Sequence, residues 1–121
     1  MHTHYEQITS YTTKDGSTIR ELMHPAQHKN AKQSLAEATV PANTITELHF
    51  HKQSEEIYFI LSGSGEMTLG EETFNVHSGD TICIQPNTPH QIRNNGSVEL
   101  KFLCACSPAY SHEDTILINK A

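Results

Sequence analysis

The chain has 121 residues, of which 36% are hydrophobic, and its formal net charge is -6 at pH 7. This length suits one domain with one core and is too short for two ordinary domains, so a single domain over residues 1–121 is expected. With only 8 Lys and Arg residues and no basic run, the chain is a poor candidate for binding nucleic acid or an anionic membrane surface.

The ends and the cysteines predict a cytoplasmic location. The N-terminus lacks the apolar run of a signal peptide, and no segment is long enough to cross a membrane. The three cysteines, Cys83, Cys104 and Cys106, have no zinc-finger spacing, and the last two are poorly placed for a mutual disulfide on one strand. Reduced thiols in a cytoplasmic protein are therefore expected.

Short segments with strand character follow one another along the chain. Residues 1–17 are predicted to form a peripheral arm that ends at the Asp15-Gly16 turn. Strands are predicted over residues 18–23, 34–40, 44–51, 56–61, 66–69, 72–76, 81–85, 90–93 and 98–106, and a short apolar run follows over residues 115–118. Turns rich in Gly, Asn and Pro separate them, and residues 107–121 are predicted to be a peripheral C-terminal segment. This pattern, which has no convincing amphipathic helix, predicts an all-β sandwich or barrel.

The predicted strand over residues 44–51 carries two histidines, His49 and His51, separated by one residue. Side chains two residues apart share one face of a strand, so both imidazoles point to the same side, together with Ile45 and Glu47. Such a pair can hold a metal ion when the fold supplies further ligands.

Two further residues can complete a site of this kind. Glu56 opens the next strand, with Tyr58 and Ile60 on its face, so it can lie beside the histidine pair across a hairpin. His90 follows a Gly-Asp turn, an apolar strand and a Pro-flanked loop. Three imidazoles and one carboxylate can thereby converge from neighbouring strands.

The spacing of these residues resembles the two motifs of the cupin superfamily, G-x5-H-x-H-x(3 or 4)-E-x6-G and G-x5-P-x-G-x2-H-x3-N. The corresponding residues are Asn43, His49, His51, Glu56 and Gly63 for the first motif, and Gly79, Gln85, Asn87, His90 and Asn94 for the second. Asn43 and Asn87 replace glycines, and asparagine tolerates the left-handed backbone that glycine supplies. Gln85 replaces a proline and is followed by Pro86. The resemblance covers residues 43–94 and is closest to small single-domain cupins.

The resemblance implies a double-stranded β-helix, a jelly-roll barrel, with a metal ion held inside by His49, His51, Glu56 and His90. Imidazole and carboxylate ligands suit divalent Fe, Mn, Zn, Ni, Co or Cu, and ligand identity does not choose among them. The remaining candidates are pocket or lid residues: Tyr58, Gln85, Ile92 and Cys104 for the pocket, and Tyr110 and His112 for a lid.

By the same resemblance, we expect a metal-dependent enzyme of dioxygenase type that acts on a small molecule, in a homodimer. A sugar-phosphate isomerase or epimerase is the second reading, and a non-catalytic module that binds a small ligand or a metal is the third. No further acid–base pair stands out in the sequence, which favours redox chemistry at the metal over isomerisation. The catalytic residues are left unassigned.

Overall fold

A computed structural model describes residues 1–118 and consists mainly of β-strands. A short 3-10 turn, Tyr5–Gln7, precedes twelve strands. The strands are β1 Tyr11–Thr12, β2 Thr18–Met23, β3 Ser34–Val40, β4 Thr44–Ile45, β5 His49–His51, β6 Glu55–Ser62, β7 Ser64–Leu69, β8 Glu72–His77, β9 Thr81–Ile84, β10 His90–Asn94, β11 Leu100–Ser107 and β12 Thr115–Leu117. The all-β prediction is confirmed.

The strands form two antiparallel sheets with a shared core. One sheet has the order β1-β2-β3-β11-β6-β9, and the other has the order β12-β5-β10-β7-β8, with β4 beside β10. Buried side chains of both sheets form one hydrophobic cluster, which includes Tyr58 and Phe102 from the first sheet and Met67 and Ile92 from the second. The metal-ligand candidates therefore lie on strands that face a common interior.

Buried and exposed side chains alternate along β6, as its sequence predicted. Glu56, Tyr58 and Ile60 are buried, whereas Ile57 and Phe59 are about two-fifths exposed on the outer face. A strand places successive side chains on opposite faces, so one face of β6 contributes to the interior. The prediction for the face of Glu56 is confirmed.

The predicted continuous strand over residues 44–51 is wrong. The structure divides it into β4 and β5, and the intervening Thr46 is buried while Ile45 and Glu47 are exposed. Thr46 turns inward because its hydroxyl accepts a hydrogen bond from the Ile92 backbone N–H (3.0 Å). The face of Ile45 and Glu47 is therefore not the face of the two histidines.

Two asparagines adopt the backbone conformation that glycine has in the motifs. Asn43 has a φ of 59° and Asn87 a φ of 64°, both in the left-handed region. Asparagine occupies this region more readily than other side-chain-bearing residues. Both replacements therefore preserve the turns that lead into the metal-ligand strands.

The arm and the C-terminal segment, both expected at the periphery, each reach the interior. Ser17 is buried at the start of β2, and Thr115 is 1% exposed at the start of β12. Thr115 pairs with His51 across β12 and β5. All three cysteines are free, with Cys104 and Cys106 buried. Within residues 1–118, no helix has the length and apolarity that crossing a membrane requires.

Candidate metal centre

Three histidines meet in the interior because their strands are neighbours. His49 and His51 both lie on β5, and β10 places His90 directly opposite His49 in the antiparallel register. One nitrogen from each of the three rings lies within 4.8 Å of the others. All three side chains are buried, with His90 completely so.

Hydrogen bonds at the other ring nitrogen determine how each imidazole is protonated. His49 Nδ1 lies 2.8 Å from the Glu47 carbonyl oxygen, and His90 Nδ1 lies 2.9 Å from the Thr88 carbonyl oxygen. A carbonyl oxygen can only accept, so both Nδ1 atoms carry the hydrogen and donate it. In the neutral rings, Nε2 then presents a lone pair.

His51 reaches the same state through a hydroxyl group. Its Nδ1 lies 3.0 Å from Thr115 Oγ1, and that hydroxyl donates its hydrogen to the Ser111 carbonyl oxygen (2.8 Å). Thr115 must therefore accept from His51 Nδ1–H. All three imidazoles consequently present the Nε2 lone pair, which is the form that binds metals.

Glu56 brings a carboxylate to these nitrogens from the other sheet. Its Oε1 lies 3.2 Å from His51 Nε2 and 3.5 Å from His90 Nε2. Burial disfavours the charged carboxylate, but a hydrogen on the facing nitrogen of His51 or His90 outweighs burial and holds the pKa of Glu56 well below its usual value. With both rings in the lone-pair form, a bound cation would take over that role. The other oxygen, Oε2, accepts a hydrogen bond from the Cys106 thiol (3.3 Å).

The arrangement fits a metal ion better than a hydrogen-bonded cluster. Glu56 Oε1 and His90 Nε2 are both buried and have no hydrogen-bond partner among the described residues. Lone pairs that face each other in a dry interior are costly unless a cation or a proton lies between them. A divalent ion held by His49, His51, His90 and Glu56 would satisfy all of these atoms at once.

Burial favours the neutral ring of His49, which is the form in which an imidazole binds a metal ion. Burial and the neighbouring His90 lower the pKa of His49 to about 4, although the nearby Asp15 opposes the shift. A neutral imidazole is available to a metal without first losing a proton. The site is therefore prepared for a cation over the neutral pH range.

A small inner cavity of about 40 Å³ adjoins the centre. His49 and Glu56 line it, and the Tyr58 and Phe102 rings, 4.5 Å apart, form part of its wall. Three of the predicted pocket and lid residues also line it: Tyr58, Cys104 and Tyr110. A small molecule in this cavity would contact the metal centre on the side of His49 and Glu56.

The other three predicted pocket and lid residues lie elsewhere. Gln85 is exposed just beyond β9, where its amide nitrogen lies 3.7 Å from the Cys83 sulfur. Ile92 is a core residue, and His112 lines an outer groove next to the inner cavity. Gln85 was misplaced because Ile82 and Ile84 are the inward residues of β9, so the alternation of this strand directs Gln85 outward.

Sequence reasoning missed Asp15, which lies at the centre. Its Oδ2 is 3.8 Å from His49 Nε2, and Oδ1 accepts hydrogen bonds from Thr13 Oγ1, Ser17 Oγ and the Ser17 N–H. The Asp15 carbonyl also accepts a bond from the Glu47 N–H (2.8 Å), which fixes the turn against the chain entering β5. The Asp-Gly pair predicts a turn, but nothing local indicates which strand that turn contacts.

A second missed carboxyl group, Glu21, lies on β2 beside Tyr11 of β1. Glu21 is 5% exposed, and its Oε2 accepts a hydrogen bond from the Tyr11 hydroxyl (3.1 Å). Both residues line the inner cavity. The alternation of β2 would have predicted an inward Glu21 only if Ile19 had been recognised as a core residue on the same face.

Comparisons with known proteins agree with this geometry. The model of the cupin domain family (Cupin_2) matches residues 36–106. The uncharacterized protein MJ1618 of Methanocaldococcus jannaschii is 59% identical over 116 residues, which cover 96% of this chain and 93% of that protein. An oxalate-binding protein of Thermotoga maritima is 30% identical over 84 residues, which cover 69% of this chain and 65% of that protein.

A solved structure shows the same fold at low sequence identity. The structure of the polyketide cyclase RemF of Streptomyces resistomycificus matches with a TM-score of 0.83. The match has 20% identity and covers 100% of this chain and 87% of that chain. Identity at this level carries information about the fold alone. The fold is a double-stranded β-helix, as the motif spacing implied.

Proposed function

Because the chain belongs to the cupin family, we propose that it is a metal-dependent enzyme of dioxygenase type that acts on a small oxygen-bearing molecule. The observation that carries the proposal is the convergence of three Nε2 lone pairs and the Glu56 carboxylate beside an inner cavity. His49, His51, His90 and Glu56 would hold one divalent transition metal ion. When bound, that ion would supply a positive charge for a substrate oxygen and, if redox-active, a path for electrons.

The protein's own residues would position the substrate and exclude water. Tyr58 and Phe102 form an aromatic wall that shields one side of the cavity. Burial raises the pKa of Tyr58 well above its usual value, so its hydroxyl keeps its proton at neutral pH. An uncharged hydroxyl can donate a hydrogen bond to a substrate oxygen without adding charge to the site.

An isomerase or epimerase is the second candidate, and Asp15 is the observation that favours it. Its free carboxylate oxygen lies 3.8 Å from His49 Nε2, within reach of a molecule bound at the centre. Such a group can take a proton from a carbon atom next to a carbonyl and return it to the neighbouring carbon. The sequence offered no further acid–base pair, and this favoured redox chemistry over isomerisation. Asp15 is a candidate for such a group, so that argument against an isomerase no longer holds.

A non-catalytic ligand-binding module is the third candidate, in keeping with the name of the oxalate-binding relative. Such a module would bind its ligand and metal without turnover. Oxygen consumption by the Fe(II) form, measured with a panel of diketones, catechols and thiols, distinguishes it from the dioxygenase. Consumption coupled to loss of one panel compound supports the dioxygenase, and no consumption with any of them would reject that reading.

Metal analysis tests the site itself. Tag-free wild-type protein is expected to bind about one divalent ion per chain, whereas His51→Ala is expected to lose it. His77→Ala is the matched control, because His77 is an exposed residue at the end of β8. Equal and negligible metal in wild type and His51→Ala would overturn the proposed metal site.

We also propose a homodimer. The outer face of β6 carries Ile57, Phe59 and Leu61, each about two-fifths exposed, in a row that a second copy would cover. Light scattering after size exclusion is expected to give a dimer mass for wild type and a smaller mass for Phe59→Lys. A monomeric wild type would reject this proposal.

A further inference from the structure

The inner cavity has an unusual charge composition. Three carboxyl groups line it, those of Asp15, Glu21 and Glu56, and no Lys or Arg within residues 1–118 lines it. Glu56 belongs to the metal centre, where a divalent ion would neutralise it. Asp15 and Glu21 are therefore the two carboxyl groups that could interact directly with a molecule in the cavity.

The nearest lysine is held away from the cavity. Lys14 precedes Asp15 in the same turn, but its ammonium group donates to the carbonyl oxygens of His112 (3.2 Å) and Thr115 (2.8 Å). These bonds attach the turn to the C-terminal segment. Lys14 therefore has a structural partner and is not directed at the carboxylate beside it.

Glu21 is next to a histidine whose two ring nitrogens are both held by the backbone. His24 Nε2 lies 2.7 Å from the Tyr110 carbonyl oxygen, so it carries a hydrogen, and its Nδ1 accepts a hydrogen bond from the Ala26 N–H (3.0 Å). His24 Nε2 lies 3.8 Å from Glu21 Oε2, which is beyond hydrogen-bond distance.

Glu21 lies where the inner cavity meets an outer groove. Tyr11, Glu21 and Tyr110 line both spaces, whereas His24 and His112 line only the groove. A molecule that moves from the groove into the cavity would do so beside Glu21, whereas Asp15 lines only the cavity. Acidic groups at both points favour the entry of cations and oppose the entry of anions.

We propose that the cavity takes a small molecule with an oxygen chelate at one end and an ammonium group at the other, and that it rejects anions. The chelate would bind at the metal centre, and the ammonium group would pair with Glu21 or Asp15. This inference rests on the proposed metal site and narrows its substrate class. Glu21 is buried and the cavity lining offers it no Lys or Arg, so an ammonium group on the ligand would provide a permanent positive partner.

Three catechols with the same chelating ring and different charge test the inference. They are 4-methylcatechol, which is neutral, 4-(2-aminoethyl)catechol, which is cationic, and 3,4-dihydroxyphenylacetate, which is anionic. Binding is measured by calorimetry, without oxygen, on protein loaded with Co(II), and the visible spectrum of the Co(II) reports contact with the metal. The cation is expected to bind about thirtyfold more tightly than the anion, with the neutral compound between them.

Isosteric variants assign that preference to the two carboxyl groups. Asp15→Asn retains an oxygen for the three hydrogen bonds at Oδ1, and Glu21→Gln retains an acceptor for the Tyr11 hydroxyl. Each is expected to reduce the preference for the cation by about fivefold. Glu71→Gln, in the exposed turn between β7 and β8, is the matched control and is expected to change nothing.

The outcomes separate this inference from the proposed function. Equal or tighter binding of the anion, an unchanged preference in both variants, or no binding of any catechol would overturn the inference. Metal content and oxygen consumption judge the proposed enzyme independently of these results. An enzyme that turns over an anionic substrate would thus retain the proposed function and reject the substrate class.

Discussion

The protein contains two histidine–carboxylate pairs of the same length in very different surroundings. His90 Nε2 lies 3.5 Å from Glu56 Oε1 in the interior, and His77 Nδ1 lies 3.5 Å from Asp80 Oδ2 in the turn between β8 and β9. The side chains of the first pair are 0% and 6% exposed, and those of the second are 73% and 37% exposed. Distance alone therefore does not distinguish a candidate metal site from a surface contact.

The difference lies in what surrounds each pair. Asp80 Oδ2 also accepts a hydrogen bond from the His77 N–H (2.8 Å), so the surface carboxylate has a partner and water nearby. Glu56 Oε1 faces nitrogen lone pairs and has no hydrogen-bond partner among residues 1–118. Only the buried pair needs a cation to complete its interactions.

The largest contrast is expected from neutralising each carboxylate. Glu56→Gln should weaken metal binding by about a thousandfold, or about 4 kcal/mol, because it removes one of four ligands and its charge. Asp80→Asn should leave metal binding unchanged. Competition with a chromophoric chelator measures both affinities.

The stability of metal-free E56Q separates a metal site from a structural ion pair. An amide can donate a hydrogen bond to an Nε2 lone pair, so the free energy of unfolding should stay the same or rise. If Glu56 instead paired with a charged imidazole, its loss would strand a buried charge and destabilise the fold by about 3–5 kcal/mol. A loss of that size in urea denaturation would contradict the metal-site assignment.

A comparable contrast is expected in the pH dependence of stability. The pKa of His49 falls from 6.5 in the unfolded chain to about 4 in the folded protein, because the ring is buried. Between these values the unfolded chain binds more protons, so stability is fully present above pH 6.5 and is lost as the pH falls toward 4. The expected loss in metal-free protein is about 3 kcal/mol.

Urea denaturation at a series of pH values from 7.5 to 4 measures this loss. His49→Gln should reduce the slope, because the titrating group is gone. His77→Gln should retain the wild-type slope, because it changes only the exposed histidine. Equal slopes for wild type and His49→Gln would contradict the assignment.

A smaller effect is expected from the group that orients His51. Thr115→Val removes the hydroxyl that accepts from His51 Nδ1–H while preserving the shape of the side chain. Loss of such an orienting partner should weaken metal binding by about thirtyfold. Thr115→Ser should restore most of the affinity, since it retains the acceptor.

The measurement is again metal competition, with unfolding monitored in parallel. If valine and serine weakened binding equally, the methyl group and not the hydroxyl would be responsible. Thr115 would then be a packing residue, and the tautomer of His51 would need another explanation.

The candidate metal ligands could be predicted from the sequence because they obey local rules. The two-residue period of a strand places His49 and His51 on one side, and the motif spacing brought Glu56 and His90 to them. Ile45 and Glu47 were assigned to the wrong face because Thr46 turns inward to bond with β10, a contact 46 residues away in the chain.

The other wall of the cavity depends on contacts that no local pattern specifies. Asp15 reaches His49 because its turn bonds to Glu47 and, through Lys14, to residues near the C-terminus. Those partners lie about 30 and 100 residues further along the chain. The positions of Asp15 and Glu21 in the cavity could therefore not be predicted from the sequence, and neither could the acidic character of the cavity.

The smallest effect is expected at the exposed pair itself. His77→Ala removes the imidazole but leaves the bond from the His77 backbone N–H to Asp80 Oδ2, which holds the turn. Exposed ion pairs contribute about 0–1 kcal/mol, because water screens the charges and the side chains lose conformational freedom. The free energy of unfolding, measured with urea at pH 6 in 20 mM and 500 mM salt, should change by less than about 0.5 kcal/mol. A larger loss of unfolding free energy that did not depend on salt would contradict this comparison. It would mean that the exposed His77–Asp80 pair stabilises the fold as strongly as a buried pair does.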